Sequence, residues 1–91
     1  MAYYKVAPEA NDDLGHIWFF GLEHFGIVQA DKYYYSLIDH FEVLATRPLS
    51  YPAVNHIRQG YRRSVCGSHS IYYRIHEEYI EIARVIGREN V

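Results

Sequence analysis

The sequence is poor in the features that mark secreted, membrane-spanning or disulfide-bonded proteins. Its 91 residues include one cysteine, Cys66, so no disulfide can form within the chain and a reducing compartment is expected. No apolar run approaches the roughly 20 residues that a membrane-spanning helix needs. The opening residues, MAYYKVAPEA, lack the apolar segment of a signal peptide. We therefore expect one small domain, residues 1–91, that is soluble and cytoplasmic and has no membrane contact.

The chain also lacks the positive excess of a general nucleic-acid binder. Its formal net charge is −2, whereas phosphate binding draws much of its affinity from cations that displace counterions. A local basic strip remains compatible with this charge, but direct sequence-specific DNA binding is not expected. Tyrosine, in contrast, is abundant at ten residues. Because its ring packs while its hydroxyl group stays in water, this abundance favours a surface that partners cover.

Apolar spacing in the first half of the chain predicts two helices after a short strand in AYYKVA. Pro8 suits the first turn of a helix, and Gly26 is expected to end it. The apolar face of this helix comprises Leu14, Ile17, Trp18, Gly21 and Phe25. A second helix is predicted from about Ile27 to Thr46, before Pro48. Its stripe comprises Ala30, Tyr34, Leu37, Phe41 and Leu44. The short link makes the pair an antiparallel hairpin.

The last third of the chain predicts three strands. If Glu77 and Glu78 form a two-residue turn, Arg74 lies opposite Glu81 and the apolar residues of both strands share one face. The turn at Gly67 allows two registers. A two-residue loop places Arg62, Ser64 and Cys66 on the face of Ile71 and Tyr73. A three-residue loop, residues 66–68, places Tyr61 and Val65 there instead. We expect the second, with Arg63 turned toward the helices or the rim of the sheet. The order is β-α-α-β-β-β, an α+β fold with a helical hairpin on a small, mostly antiparallel sheet.

Few residue patterns predict a chemical site. The six histidines include no His-x-x-x-His pair, so neither a metal nor any other cofactor is expected. Ser64, Ser68 and Ser70 lie near His69 without a nucleophile elbow, and Cys66 is expected to be packed or idle rather than activated by its arginine neighbours. No glycine pattern cradles phosphate. The arginines are unevenly placed, with six in the final 34 residues: Arg58, Arg62, Arg63, Arg74, Arg84 and Arg88.

Two long segments resemble ParE-type toxins of the RelE/ParE superfamily. YKVAPEANDDLGHIWFFGLEHFG with QADKYYYSLIDHFEVLATRP is similar to their helical hairpin. IRQGYRRSVCGSHSIYYRIHEEYIEIARVIGREN is similar to their Gly-Tyr-Arg…Gly-x-His-x-Ile-x-Tyr-Arg sheet. The resemblance implies the toxin of a bacterial type II toxin–antitoxin system, associated with plasmid stabilisation and growth arrest. It implies a cognate ParD-like antitoxin, with which the toxin forms a hetero-oligomer.

The superfamily has two branches with different activities. ParE-like members are reported to block DNA gyrase, whereas RelE-like members are enzymes that cleave messenger RNA on the ribosome. RelE-like chains are strongly basic and place an arginine where this chain has Ser70; we also expect no catalytic segment after the last strand. We therefore expect a non-enzymatic gyrase inhibitor. The alternatives are a RelE-type ribonuclease, with Arg62 and His69 as its first candidates, and a weakly toxic member that acts mainly in an antitoxin-bound repressor complex.

No catalytic residue is expected, but contact residues are. Arg74 is expected to pair with Glu81 inside the sheet. The other clustered arginines are predicted to contact acidic residues of the antitoxin or the target: Arg58, Arg62, Arg63, Arg84 and Arg88. In the second helix, Tyr33 to Tyr35 cannot all point inward, because consecutive residues are about 100° apart. Tyr33 and Tyr35 are therefore predicted partner contacts.

Overall fold

A computed structural model describes residues 3–87 as two helices packed on a four-stranded sheet. The elements in chain order are β1 Tyr4–Val6, α1 Pro8–Phe25, α2 Ile27–Thr46, a 3-10 turn Pro48–Ser50, β2 Tyr61–Cys66, β3 His69–Ile75 and β4 Ile80–Gly87. The strand order across the sheet is β1-β4-β3-β2. Strand β1 runs parallel to β4, and the other neighbours are antiparallel. The predicted element order and fold class are confirmed.

A single glycine links the two helices. Gly26 has φ +87°, a conformation that side chains disfavour. Its N–H donates to the carbonyl of Leu22 at 3.1 Å, and its carbonyl accepts from the N–H of Ala30 at 3.0 Å. One residue therefore ends α1 and begins α2, which forces the helices to fold back on each other. Within residues 3–87, neither helix combines the length and apolar character needed to cross a membrane.

The hydrophobic core lies between the helices and one face of the sheet. Leu37, Phe41 and Leu44 of α2 are fully buried, as are Ile71 and Tyr73 of β3. The predicted stripe of α2 is thereby confirmed. The stripe predicted for α1 is wrong at its end, because the side chain of Phe25 is 67% exposed. Phe25 is the last residue of α1 and lies at the tip of the hairpin.

The β3–β4 hairpin has the predicted register. Arg74 lies opposite Glu81 and Ile75 opposite Ile80, with the N–H of His76 donating to the carbonyl of Tyr79 at 2.8 Å across the turn. Beyond Tyr73 the register shifts at a β-bulge, where Ala83 is the extra residue on β4. The bulge brings Arg84 opposite Tyr72.

The register predicted for β2 is wrong. Strands β2 and β3 are joined by the two-residue loop Gly67-Ser68, with Gly67 at φ +59°. Ser64, opposite Ile71, is therefore 3% exposed, whereas Val65 is 46% exposed. A one-residue change in loop length turns every side chain of a strand to the other face. The predicted register placed the apolar Val65 inside, but the structure buries the polar Ser64 instead.

Hydrogen bonds explain why β2 turns its polar residues inward. Ser64 Oγ lies 2.8 Å from Nε2 of His40 on α2, and Arg62 Nη1 donates to the carbonyl of Tyr51 at 2.6 Å. Burial lowers the pKa of His40. Because buried polar groups are costly only when unpaired, these partners make the polar face of β2 acceptable. Residues 51–54, which follow the 3-10 turn after α2, pair with the start of β2 and complete this face.

Candidate functional site

Charge is segregated between the two layers of the molecule. The helices carry seven carboxylates and one lysine, a net charge of −6, whereas the remainder of residues 3–87 carries seven cations and three carboxylates, a net charge of +4. Histidines are counted as neutral. The mild overall charge of −2 therefore conceals a strongly polarised domain. Such a distribution orients charged partners toward one side of a protein.

The side chains of the sheet that point away from the helices form a cationic face. On β2 and β3 this face contains two directly opposed pairs, Tyr61 with Arg74 and Arg63 with Tyr72. We call these four residues the Arg–Tyr square. Arg63 and Arg74 are exposed and the two tyrosines are half-buried. The guanidinium carbons of Arg74 and Arg58 lie 5.6 and 5.5 Å from the centre of the Tyr61 ring.

The clustered arginines do not form one continuous strip. Arg62 and Arg63 point to opposite faces of β2, and Arg62 is engaged with the Tyr51 carbonyl on the helix side. Arg84 forms a two-point fork with Asp13 of α1, with distances of 2.7 Å from Nε to Oδ2 and 3.0 Å from Nη2 to Oδ1. Arg88 lies outside the described residues. Of the predicted contact arginines, Arg58 and Arg63 are exposed and form no ion pair within residues 3–87.

Asp13 ties α1 to the edge of β4. Its carboxylate accepts hydrogen bonds from Arg84 and, at 2.9 Å, from the N–H of Val85. Val85 lies on the part of the β4 edge that the short β1 does not cover. Burial alone would raise the pKa of the Asp13 carboxyl group, but the bonds from Arg84 and Val85 outweigh burial and lower that pKa. Near the beginning of α1, a carboxylate such as that of Asp13 also suits the positive end of the helix dipole. Its long-range role depends on the bulge at Ala83.

The predicted pair of Arg74 and Glu81 is confirmed. Arg74 Nε donates to Glu81 Oε1 at 2.8 Å, and the same oxygen lies 2.9 Å from Nε2 of His76. These hydrogen bonds, the one from His76 first, lower the pKa of Glu81. His76 also stacks on Tyr79 with ring centres 4.6 Å apart. Glu81 therefore holds one arginine of the Arg–Tyr square in place.

The three consecutive tyrosines of α2 have three different environments. Tyr34 packs against the core, and Tyr35 is 61% exposed. The hydroxyl group of Tyr33 accepts the N–H of Ser68 at 3.0 Å and lies 2.6 Å from Nδ1 of His69. The same hydroxyl group donates to the carbonyl of Cys66 at 3.4 Å. Burial raises the pKa of Tyr33 and lowers that of His69. Tyr33 thereby anchors the β2–β3 turn on α2.

An apolar groove of about 780 Å³ opens between the helical hairpin and the β2–β3 turn. The rings of Phe20 and Phe25 form its walls and are 57% and 67% exposed. Tyr33, Ser68 and His69 form its polar end, and among residues 3–87 no carboxylate lines it. Beside it, Phe19, Ile27 and Val28 are also exposed on the hairpin. Contiguous apolar surface of this kind on a small domain marks a binding site.

The candidate residues for ribonuclease chemistry are not brought together. Arg62 lies opposite Tyr73, and His69 lies opposite Cys66. Arg62 and His69 are therefore four positions apart along the strands, roughly 13 Å. The nearest partners of His69 are the groove residues, whereas Arg62 faces Tyr51. Burial raises the pKa of the Cys66 thiol, so its arginine neighbours do not activate it.

The comparisons with known proteins identify a family. A family model described as "ParE toxin of type II toxin-antitoxin system, parDE" matches residues 4–91, nearly the whole chain. The chain belongs to this family. Among its relatives is Toxin ParE1 of Caulobacter vibrioides, 34% identical over 86 residues, which cover 94% of this chain and 88% of that protein. Toxin ParE1 of Mycobacterium tuberculosis is 33% identical over 84 residues, 91% of this chain and 86% of the relative.

A solved structure agrees with the fold. A chain from the "Chromosomal ParDE TA system from P. aeruginosa" superposes with a TM-score of 0.76 and covers 98% of each chain, at 22% identity. At that identity the likeness concerns the fold alone. The resemblance to ParE toxins that the sequence motifs indicated is therefore confirmed by the family and its named relatives.

Two features of this ParE-family chain were beyond the sequence interpretation. The groove was missed because Phe20 was left out of the predicted apolar face and Phe25 was assigned to the core. Residues 18–25, WFFGLEHF, place more large apolar side chains on α1 than one face can bury. This excess could have predicted an exposed apolar surface on α1. The Arg–Tyr square was missed because it depends on the β2 register.

Proposed function

We propose that this ParE-family toxin inhibits DNA gyrase, does so without enzymatic activity, and is neutralised by a ParD-like antitoxin. The observation that carries the proposal is the family match over residues 4–91, since ParE-like members of the superfamily are reported to block gyrase. The proposed setting is the bacterial cytoplasm, where gyrase acts. The toxin and antitoxin would form a hetero-oligomer.

The proposed antitoxin site is the apolar groove. The exposed rings of Phe20 and Phe25 line the groove, and large side chains of a segment that folds on binding can pack against them. Tyr33 lies at the polar end of the groove and Tyr35 is exposed on the same helix, so both remain proposed contacts. Phe25→Ser should weaken antitoxin binding about tenfold or more, as is typical of a buried aromatic anchor. Calorimetric titration with the operon's antitoxin measures this.

Val65→Ser is the matched control for that substitution. Val65 is also exposed and apolar, but it lies on the sheet face away from the groove. It should leave antitoxin affinity within about twofold. Equal losses for Phe25→Ser and Val65→Ser would contradict the groove as the antitoxin site.

Three of the predicted contact arginines are proposed to form polar contacts with a partner. Arg58 and Arg63 are exposed, and Arg88 extends the predicted set; all three are proposed to contact acidic groups of the antitoxin or the target. Arg62 and Arg84 already have partners within the chain, which makes them weaker candidates. Reversal of Arg58 or Arg88 to glutamate should reduce toxicity or antitoxin affinity. Unchanged toxicity and affinity in both variants would count against this contact.

Gyrase inhibition is tested with purified gyrase, ATP, supercoiling substrate and the toxin freed from antitoxin. Loss of supercoiling together with accumulated cleaved DNA is the expected result. If gyrase remains fully active beside folded toxin, the target is wrong, and the ribosome is tested next for codon-specific cleavage. The distance between Arg62 and His69 favours gyrase over that alternative. Absence of growth arrest on induction without antitoxin would instead favour a weakly toxic repressor component.

A further inference from the structure

The outward face of the sheet carries a surface of which the toxin–antitoxin proposal uses only Arg63 and, at its margin, Arg58. Both helices pack on the opposite face, over Ile71 and Tyr73. The outward positions of β2 and β3 alternate arginine and tyrosine in both directions: Tyr61 beside Arg63 along β2, Tyr72 beside Arg74 along β3, and an arginine opposite a tyrosine in each cross-strand pair. Opposed side chains in such pairs have Cβ atoms about 4.5–5.5 Å apart.

We propose that the Arg–Tyr square binds single-stranded nucleic acid, with phosphates on the arginines and bases stacked on the tyrosines. Arginine matches phosphate through two parallel hydrogen bonds, and its plane also stacks on bases. Half-buried tyrosine rings on an open sheet provide the flat apolar contact that an unpaired base uses. A duplex hides those base faces, so an unpaired strand fits this surface better.

Local charge supports an anionic ligand on this side of the molecule. The square adds two positive charges; of its two guanidinium groups, only that of Arg74 is paired, with Glu81, while Arg63 has no carboxylate within ion-pair distance in residues 3–87. Arg58 lies beside Tyr61 and adds a cation at one margin. Arg84, opposite Tyr72, is already paired with Asp13. The helical layer, at −6, repels a phosphate strand and directs it to the sheet.

An acidic protein segment is the competing ligand, and the tyrosines argue against it. Carboxylates would occupy the arginines but would leave the ring of Tyr72 without a flat partner. Tyr61, in contrast, already has the guanidinium groups of Arg58 and Arg74 near its ring. A strand of nucleic acid uses both residue types in alternation, because it alternates charge and aromatic base. Affinity should be modest, with a dissociation constant on the order of 10 µM at low salt, because few phosphates are neutralised.

The test is fluorescence anisotropy of a labelled single-stranded oligothymidylate of about twenty nucleotides, titrated with antitoxin-free toxin at about 50 mM salt. Arg63→Glu should weaken binding about tenfold. Tyr72→Leu, which keeps the apolar packing but removes the aromatic ring, should weaken it about fivefold. Lys32→Glu, the same charge reversal on the exposed surface of α2, should change it less than about twofold. Circular dichroism confirms folding of each variant.

Three results would overturn the proposal. The first is the absence of oligothymidylate binding at about 100 µM toxin, and the second is an equal loss of affinity in Arg63→Glu and Lys32→Glu. The third is complete displacement of the oligonucleotide by polyglutamate of equal charge, together with unchanged affinity in Tyr72→Leu. The last result would assign the face to an acidic protein. Because this assay contains no gyrase or antitoxin, its outcome is independent of the supercoiling test, and either proposal can fail alone.

Discussion

The helical layer and the sheet of this toxin differ in charge, in regularity and in what holds their side chains in place. The helices are acidic, and their hairpin tip exposes large apolar residues; the sheet is basic, and its outward face alternates charge with aromatic rings. An apolar core and a few long-range polar bonds join the layers. The difference means that residues 3–87 present two chemically distinct surfaces on opposite layers of the fold.

The apolar contact between the layers should be the most sensitive to substitution. Phe41 of α2 is fully buried and meets Tyr4 of β1 with ring centres 5.6 Å apart. Phe41→Ala should lower the free energy of unfolding by about 3–5 kcal/mol, because it opens a cavity between the layers. Urea denaturation measures the change. Val43→Ala on the exposed side of α2 should cost much less, and equal costs would contradict this view of the core.

The turn that docks the sheet on α2 should come next. Gly67 has φ +59°, and a Cβ atom there would lie 2.8 Å from the Tyr33 ring. Gly67→Ala should therefore cost about 2–3 kcal/mol through backbone strain and the displaced ring. Thermal unfolding compares it with Gly15→Ala on α1, where a Cβ meets nothing. That control should stabilise the protein slightly through helix propensity, so the two changes should have opposite signs.

The Asp13 junction should make the stability depend on pH. Asp13→Asn should lower the free energy of unfolding by about 1–3 kcal/mol at pH 7, because it weakens the bonds to Arg84 and Val85. The pKa of Asp13 is lowered in the folded protein. Its contribution is therefore complete above the ordinary carboxyl pKa and is lost as the pH falls through the lowered value.

Urea titrations of both proteins at neutral and acid pH measure this difference. The gap between wild type and Asp13→Asn should shrink as the pH falls below about 4. Asp12→Asn, an exposed neighbour on the same helix turn, provides the matched control and should show no such gap. A gap that is constant with pH would show that the carboxylate charge is not what joins α1 to β4.

The Tyr33 hydroxyl group should have the smallest effect of the four. Tyr33→Phe removes the acceptor for the Ser68 N–H and the partner of His69, which should cost about 1 kcal/mol. Tyr35→Phe on the exposed side of the same helix should cost almost nothing. Chemical denaturation of the two variants compares the free energy of unfolding lost with the bonded Tyr33 hydroxyl group and with the solvated Tyr35 hydroxyl group. Indistinguishable variants would mean that the turn is held by its strands alone.

Much of the fold could be predicted from local signals. Pro8 and Gly26 mark the helix ends because each has a backbone preference that needs no distant partner. The β3–β4 register could be predicted because apolar alternation and the Arg74–Glu81 pair agreed on one alignment. The candidate site was less accessible. The motif resemblance pointed to the right family, but the groove arises only where the hairpin tip meets the β2–β3 turn.

What the sequence by itself determined was the order of the elements, the ends of the helices and the family to which the chain belongs. These rest on short-range backbone preferences and on motifs read directly along the chain. Only the tertiary structure decided which face of β2 turns inward. His40 on α2 and Tyr51 in the loop before β2 supply the hydrogen bonds that make Ser64 and Arg62 acceptable there, and folding is what brings them to the strand. That choice places Arg63 beside Tyr72 and creates the cationic face, since one residue of register exchanges the two sides of a strand.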